Sequence, residues 1–195
     1  MLALTAIALI FFALLLFAVV IYNGLVRKRN AYKNAFSQID VQLQRRFDLI
    51  PNLVESVKGY MSHEQTTLQN VIAARNGAQA ALEQAKQTPS SGSMKKLSQS
   101  NTLLNGALRQ LAVVVENYPE LKANQNMLHL QEELSSTENK VAFSRQAYND
   151  AVMSYNTSIE SFPQNLAAGV FGFEPASAFQ IETSSSAHLP IRVDF

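Results

Sequence analysis

In Ile39-Asp40-Val41-Gln42-Leu43-Gln44-Arg45-Arg46-Phe47-Asp48-Leu49-Ile50-Pro51-Asn52-Leu53-Val54-Glu55-Ser56-Val57-Lys58-Gly59-Tyr60-Met61, the apolar side chains recur at helical intervals. Ile39, Leu43, Phe47, Ile50, Val54, Val57 and Met61 are separated by 4, 4, 3, 4, 3 and 4 residues. That spacing is the stripe of an amphipathic helix and not the alternation of a strand. Val41, Leu49 and Leu53 widen the stripe. Pro51 removes one backbone donor and crowds the preceding turn, which predicts a kink or short break around residues 48–52. Asp48 or Asn52 would then cap the helix ends beside it, or the break would serve as a docking point.

Outward from this stretch the same period recurs. Leu68, Val71 and Ile72 extend the helical pattern to about Lys86, and Thr88-Pro89-Ser90-Ser91-Gly92-Ser93 reads as a loop. A second helix carries Leu97, Asn101, Leu104, Leu108, Leu111, Val115 and Tyr118 and ends before Pro119. A third carries Leu130, Leu134, Thr137, Val141, Ser144, Tyr148, Val152, Tyr155, Ile159 and Phe162, and stops at Pro163. Three long helices, the first one bent or broken at Pro51 and so countable as two, hide their stripes only against one another. The expected fold is all-α: an N-terminal transmembrane helix and an elongated antiparallel bundle. Asn101, Thr137 and Ser144 occupy core-facing steps, where an Asn can fix register at a cost in stability.

Residues 1–26 hold none of the chain's 31 charged side chains, and Leu2–Ile21 is apolar apart from Thr5. About 20 such residues suffice to cross a bilayer. No basic residue precedes the run and no small-x-small cleavage pattern follows it, so an uncleaved anchor is expected rather than a signal peptide. Arg27, Lys28, Arg29 and Lys33 come directly after it. The positive-inside bias therefore predicts a single-pass membrane protein, with a short N-terminus outside and the bundle in the cytoplasm. The expected domains are an anchor (1–26), a bundle (27–162) and an aromatic tail (163–195). The tail holds Phe171, Phe173, Phe179 and Phe195, interrupted by Gly and Pro. Such a stretch caps the bundle end or meets a membrane or partner; folding back is favoured, because buried aromatics usually serve cores.

Specific words lie along this frame. They include Tyr22-Asn23-Gly24-Leu25-Val26, Ser37-Gln38-Ile39-Asp40-Val41-Gln42-Leu43, Asp48-Leu49-Ile50-Pro51-Asn52-Leu53-Val54 and Ala74-Arg75. Later come Glu116-Asn117-Tyr118-Pro119-Glu120-Leu121-Lys122-Ala123, Tyr148-Asn149, Tyr155-Asn156, Phe162-Pro163-Gln164-Asn165 and Phe171-Gly172-Phe173. In their order the chain resembles the bacterial LemA family over nearly its whole length. The resemblance implies a membrane-anchored helical bundle and brings no catalytic residues with it. Phe36 and Phe47 stand where Trp and Tyr are common, and both keep an aromatic ring.

Chemistry is sparse. Without Cys there is no disulfide, thiolate metal site or thiol nucleophile. His63, His129 and His188 are isolated; His129 and Glu132 form one reversed half of a di-iron pattern that needs two. Ser93-Met94-Lys95-Lys96 matches S-x-x-K but lacks its companion motifs. No enzyme activity, cofactor, small-molecule substrate or nucleic acid is expected, the net charge being only +1. The charge distribution is more informative: residues 27–46 hold six basic side chains against Asp40 alone. Arg27, Lys28, Arg29, Lys33, Arg45, Arg46, Phe171 and Phe173 are the candidate contacts to lipid or to a protein partner, including a second copy. The first four are an ordinary stop-transfer flank that would also attract anionic lipid by about 1 kcal/mol per cation. Arg45 and Arg46 reach headgroups only if the helix lies down; otherwise they pair with Glu132, Glu133 or Glu138 of the third helix.

Overall fold

The computed structural model describes residues 1–61 and 63–179. Its helices are α1 (Leu2–Lys58), α2 (Gln65–Gln87), α3 (Ser91–Val115), the single turn α4 (Pro119–Lys122), α5 (Gln125–Glu160) and α6 (Gln164–Phe171). No strand occurs among the described residues. α1 packs along α5, α2 along α3, and α2 on α1. Arg45 of α1 meets Glu133 of α5, whereas Lys28 meets Ser154 and Ser158. Falling numbers on one helix against rising numbers on the other make that pair antiparallel.

The stripe of residues 39–61 is the core. Ile39, Leu43, Phe47, Ile50, Val54, Val57 and Met61 are all buried, joined by Leu82, Leu97, Leu104, Leu111 and Val141 from the other helices. A second, smaller cluster of Leu25, Tyr155, Ile159, Ala168 and Phe173 lies at the other end of the α1–α5 pair. The molecule thus has a four-helix head and a thinner neck. Leu2–Val20 continues α1 beyond the neck, exposed at every position, in a helix long and apolar enough to cross a membrane.

Pro51 does not break α1. The helix runs through it, and Asp48 and Asn52 lie exposed in mid-helix instead of capping ends. The physical reason is on the neighbouring helix. Proline at 51 cannot donate to the carbonyl of Phe47, and Arg75 of α2 does so instead, Nε to O at 3.2 Å. The chain turns later, between Gly59 and Glu64, with buried Met61 holding the turn to the core. The expected first helix is therefore two, α1 and α2, as the alternative count allowed, but they divide near Met61 and not at Pro51.

Other local expectations shift by smaller amounts. α3 starts inside the expected loop, because Ser90 and Ser93 form a reciprocal capping box. The Ser93 hydroxyl also donates to the Thr88 carbonyl at 2.7 Å, so the S-x-x-K serine is a buried cap. Val41 is exposed despite its place beside the stripe. Asn101 is buried as expected, but its amide donates to Leu97 of its own helix at 2.9 Å, and its carbonyl oxygen has no partner. Among the described residues its side chain makes no cross-helix bond that would fix register.

Candidate functional site

The neck gathers most of the candidate residues. Lys28 reaches across from α1 to α5, its ammonium donating to the Ser158 hydroxyl at 2.5 Å and to the Ser154 hydroxyl and carbonyl at 3.3 and 3.4 Å. These acceptors lie in the last turns of α5, where outward carbonyls favour a cation. Arg29 stacks over the Phe173 ring, 5.0 Å from its centre. Tyr22 meets Phe171 and Phe173 edge-on, with centroids 4.9 and 5.7 Å apart. Arg27 and Lys33 are exposed, with no ion pair among the described residues.

After α5 the chain doubles back. Gly172 takes the left-handed conformation (φ 66°) that ends α6, a cap for which glycine has no steric cost. Residues 173–179 then run as a strap antiparallel to α5, held by a repeated dipeptide. Tyr155 donates its hydroxyl to the Glu174 carbonyl at 2.9 Å, and Tyr148 to that of Ser177 at 2.7 Å. Asn156 pairs with both the N–H and the C=O of Ala176, each at 2.9 Å. Asn149 does the same for Phe179 at 2.8 and 3.1 Å. Seven helical residues rise about 10 Å, and three extended residues cover the same distance. The seven-residue interval between the Tyr-Asn pairs therefore matches the three-residue interval along the strap.

The strap seals the neck. Phe173 fills the small cluster and Phe179 enters the main core, with Arg145 over its ring at 5.2 Å. Tyr32, Tyr148 and Tyr155 pack together beneath it, with ring centroids 5.1 to 6.5 Å apart from Tyr32. Burial pushes the Tyr148 phenol up from 10.0 to about 12, helped by nearby Tyr32. Tyr32 and Tyr155 shift the same way, chiefly through burial, with Arg29 opposing.

The remaining candidates lie elsewhere. Arg45 sits on the head and pairs with Glu133 at 3.2 Å. Arg46 is only 3 % exposed, and burial lowers its guanidinium pKa against the opposing pull of Glu138. It lines a cavity of about 380 Å³ with Asn105, Arg109, Gln131 and Glu138. The structure thus brings Arg29, Lys28, Phe171 and Phe173 together and leaves Arg45 and Arg46 apart from them. His129 and Glu132 are both exposed on α5. Among the described residues, no three metal-capable side chains converge. Tyr148, Asn149, Tyr155 and Asn156 were missed as a set from sequence. The available signal was the dipeptide recurring after seven residues.

Fold and neck together define a class: an all-α bundle on a continuous helical stalk, whose exposed apolar end is long enough to cross a bilayer. The chain belongs to the LemA family, which it matches over residues 35–195. It is 29% identical over 175 residues to magnetosome protein MamQ 1 of Paramagnetospirillum magneticum, covering 82% of this chain and 64% of that protein. It is 26% identical over 174 residues to MamQ of Magnetospirillum gryphiswaldense, at 81% and 64% coverage. Protein LemA of Metamycoplasma hominis is 27% identical over 158 residues, at 81% and 68% coverage. The chain thus spans somewhat under two thirds of the length of the MamQ relatives.

Proposed function

We propose that this LemA-family protein is a single-pass, non-enzymatic scaffold of the bacterial inner membrane, with its head in the cytoplasm presented to protein partners or to a second copy. One observation carries the reading: the exposed apolar run and the buried stripe of the head belong to the same unbroken helix, α1. A flexible linker would separate the motions of anchor and head; a continuous helix couples them. The basic residues from Arg27 to Lys33 support the cytoplasmic orientation. Exposed Leu103 and Val113 on α3 and Leu128 and Phe143 on α5 supply apolar surface for association.

The test exploits the absence of Cys. In Ser136→Cys, at an exposed site on α5, an impermeant maleimide should label the full chain in lysed cells and not in intact spheroplasts. Labelling in intact spheroplasts overturns the orientation, and extraction from membranes at alkaline pH overturns the anchor. A photo-crosslinking residue at Phe143 should give discrete adducts in intact membranes; monomer alone overturns the scaffold role of that surface.

A further inference from the structure

Residues 163–179 of the tail fold back, Phe195 lying outside the described residues, yet they do not hide all their apolar side chains. Ala168 faces the neck and is buried, while Phe162, Leu166, Val170 and Phe171 are 79, 63, 80 and 55 % exposed. Phe162, Leu166 and Val170 are spaced by four residues, so they share the outward side of α6 and the turn leading into it. The sequence places Phe162 on the core stripe of the third helix. The structure ends α5 at Glu160 and turns that ring outward. From Ser161 to Phe173 the segment carries no charge.

Position decides what covers this face. Phe171 touches Tyr22, and Ile21 packs on the cluster containing Ala168 and Phe173. Ile21 and Tyr22 are the last residues of the apolar run, which at 1.5 Å per residue spans about 30 Å, the thickness of a bilayer core. α6 therefore lies beside α1 at the end of the apolar run, where that helix would leave the hydrocarbon, and both α6's outward residues and Leu2–Val20 are exposed.

We infer that α6 is an interfacial helix, seating Phe162, Leu166, Val170 and Phe171 at the boundary of headgroups and acyl chains in the leaflet that α1 leaves. The occupant is lipid, and the inference rests on the anchor reading above. A helix lying in the interface buries its apolar face by about 5–10 Å. Its other side is already occupied by the neck, so the strap and α6 together attach the foot of the bundle to the membrane surface. Phe173 differs from Phe171 in this scheme: it is buried beneath Arg29 and belongs to the neck rather than to lipid.

The chain has no Trp, so single reporters are clean. Leu166→Trp, Leu9→Trp and Gln69→Trp, the last at an exposed site on α2, would be made in the full chain and reconstituted into vesicles of phosphatidylcholine and phosphatidylglycerol. Phosphatidylcholine brominated high or low on its acyl chains then reports depth. Leu166→Trp should emit to the blue of Gln69→Trp and lose at least half its intensity to the shallow bromines, with weaker quenching by the deep ones. Leu9→Trp should be quenched strongly at depth, and Gln69→Trp by neither. Quenching of Leu9→Trp without Leu166→Trp leaves the anchor standing and overturns the interfacial seat. Blue emission of Leu166→Trp without bromine quenching means that protein covers the face, which also overturns it. Failure of both reporters to quench overturns the anchor reading and this inference with it.

Discussion

Asn101 and Asn156 are both polar residues on long helices, yet opposite substitutions are expected to separate them. The Asn156 amide satisfies both backbone groups of Ala176, a bidentate pair that only an amide side chain makes here. Asn156→Ala should cost about 1–3 kcal/mol and lower the melting temperature by roughly 2–4 °C per kcal/mol. Asn101 returns one bond to its own helix and leaves a buried oxygen unpaired. Asn101→Leu should raise the melting temperature, by about 1 kcal/mol in stability, without changing the association state. A lower melt or a changed mass by light scattering would contradict that assignment. Tyr148 gives a third residue-scale expectation. Its phenol holds its proton more tightly folded than unfolded, so its contribution is complete below pH 10 and fades as pH rises toward about 12. Thermal melts of Tyr148→Phe should start lower, through the lost bond to Ser177, but fall less steeply across that window.

At the scale of elements, α1 shows what a sequence displays and what it hides. The burial of Ile39, Leu43, Phe47, Ile50, Val54, Val57 and Met61 follows from spacing alone, because a helical stripe is a local property. The continuity of the helix through Pro51 does not, since the donor that replaces the missing N–H is Arg75, on another helix. The Tyr-Asn pairs were visible as words but not as a strap ladder, for the same reason: the groups they satisfy lie on a different segment of chain. Phe162 fits the period of the third helix, and no local signal showed that the helix stops short of it. Pro51 and Arg75 should therefore be coupled. Arg75→Met strands the Phe47 carbonyl and should cost about 1–3 kcal/mol. In a Pro51→Ala background the helix supplies its own donor, and the same change should cost less than half as much. Equal costs in both backgrounds, measured by urea unfolding, would show that Arg75 contributes only by packing.

For the whole molecule, the question is whether the head stands off the membrane or lies along it. A head lying along the bilayer would deliver Arg45 and Arg46 of the basic strip to headgroups; an upright one leaves them to the acidic third helix. In the structure Arg45 is engaged by Glu133 and Arg46 is buried, and Arg27 and Lys33 of the neck are the exposed cations of that strip without an ion pair among the described residues. The electrostatic pull toward lipid is therefore concentrated at the foot. α1 rises without interruption from Tyr22 to Lys58, a span of about 54 Å at 1.5 Å per residue. A foot held by the anchor and by α6 on one side, with Arg45 engaged and Arg46 buried in the head, favours an upright post. A donor dye on Lys58→Cys, with acceptor dyes on lipid headgroups in reconstituted vesicles, measures the height directly. An upright head places the donor about 45–55 Å from the headgroup plane, the helix length less a modest tilt. Neutralising Arg45 with Gln should not alter that height, because its partner is Glu133 and not lipid. A donor within about 25 Å of the headgroups, receding in Arg45→Gln, would instead show a head that lies on the bilayer through its basic strip.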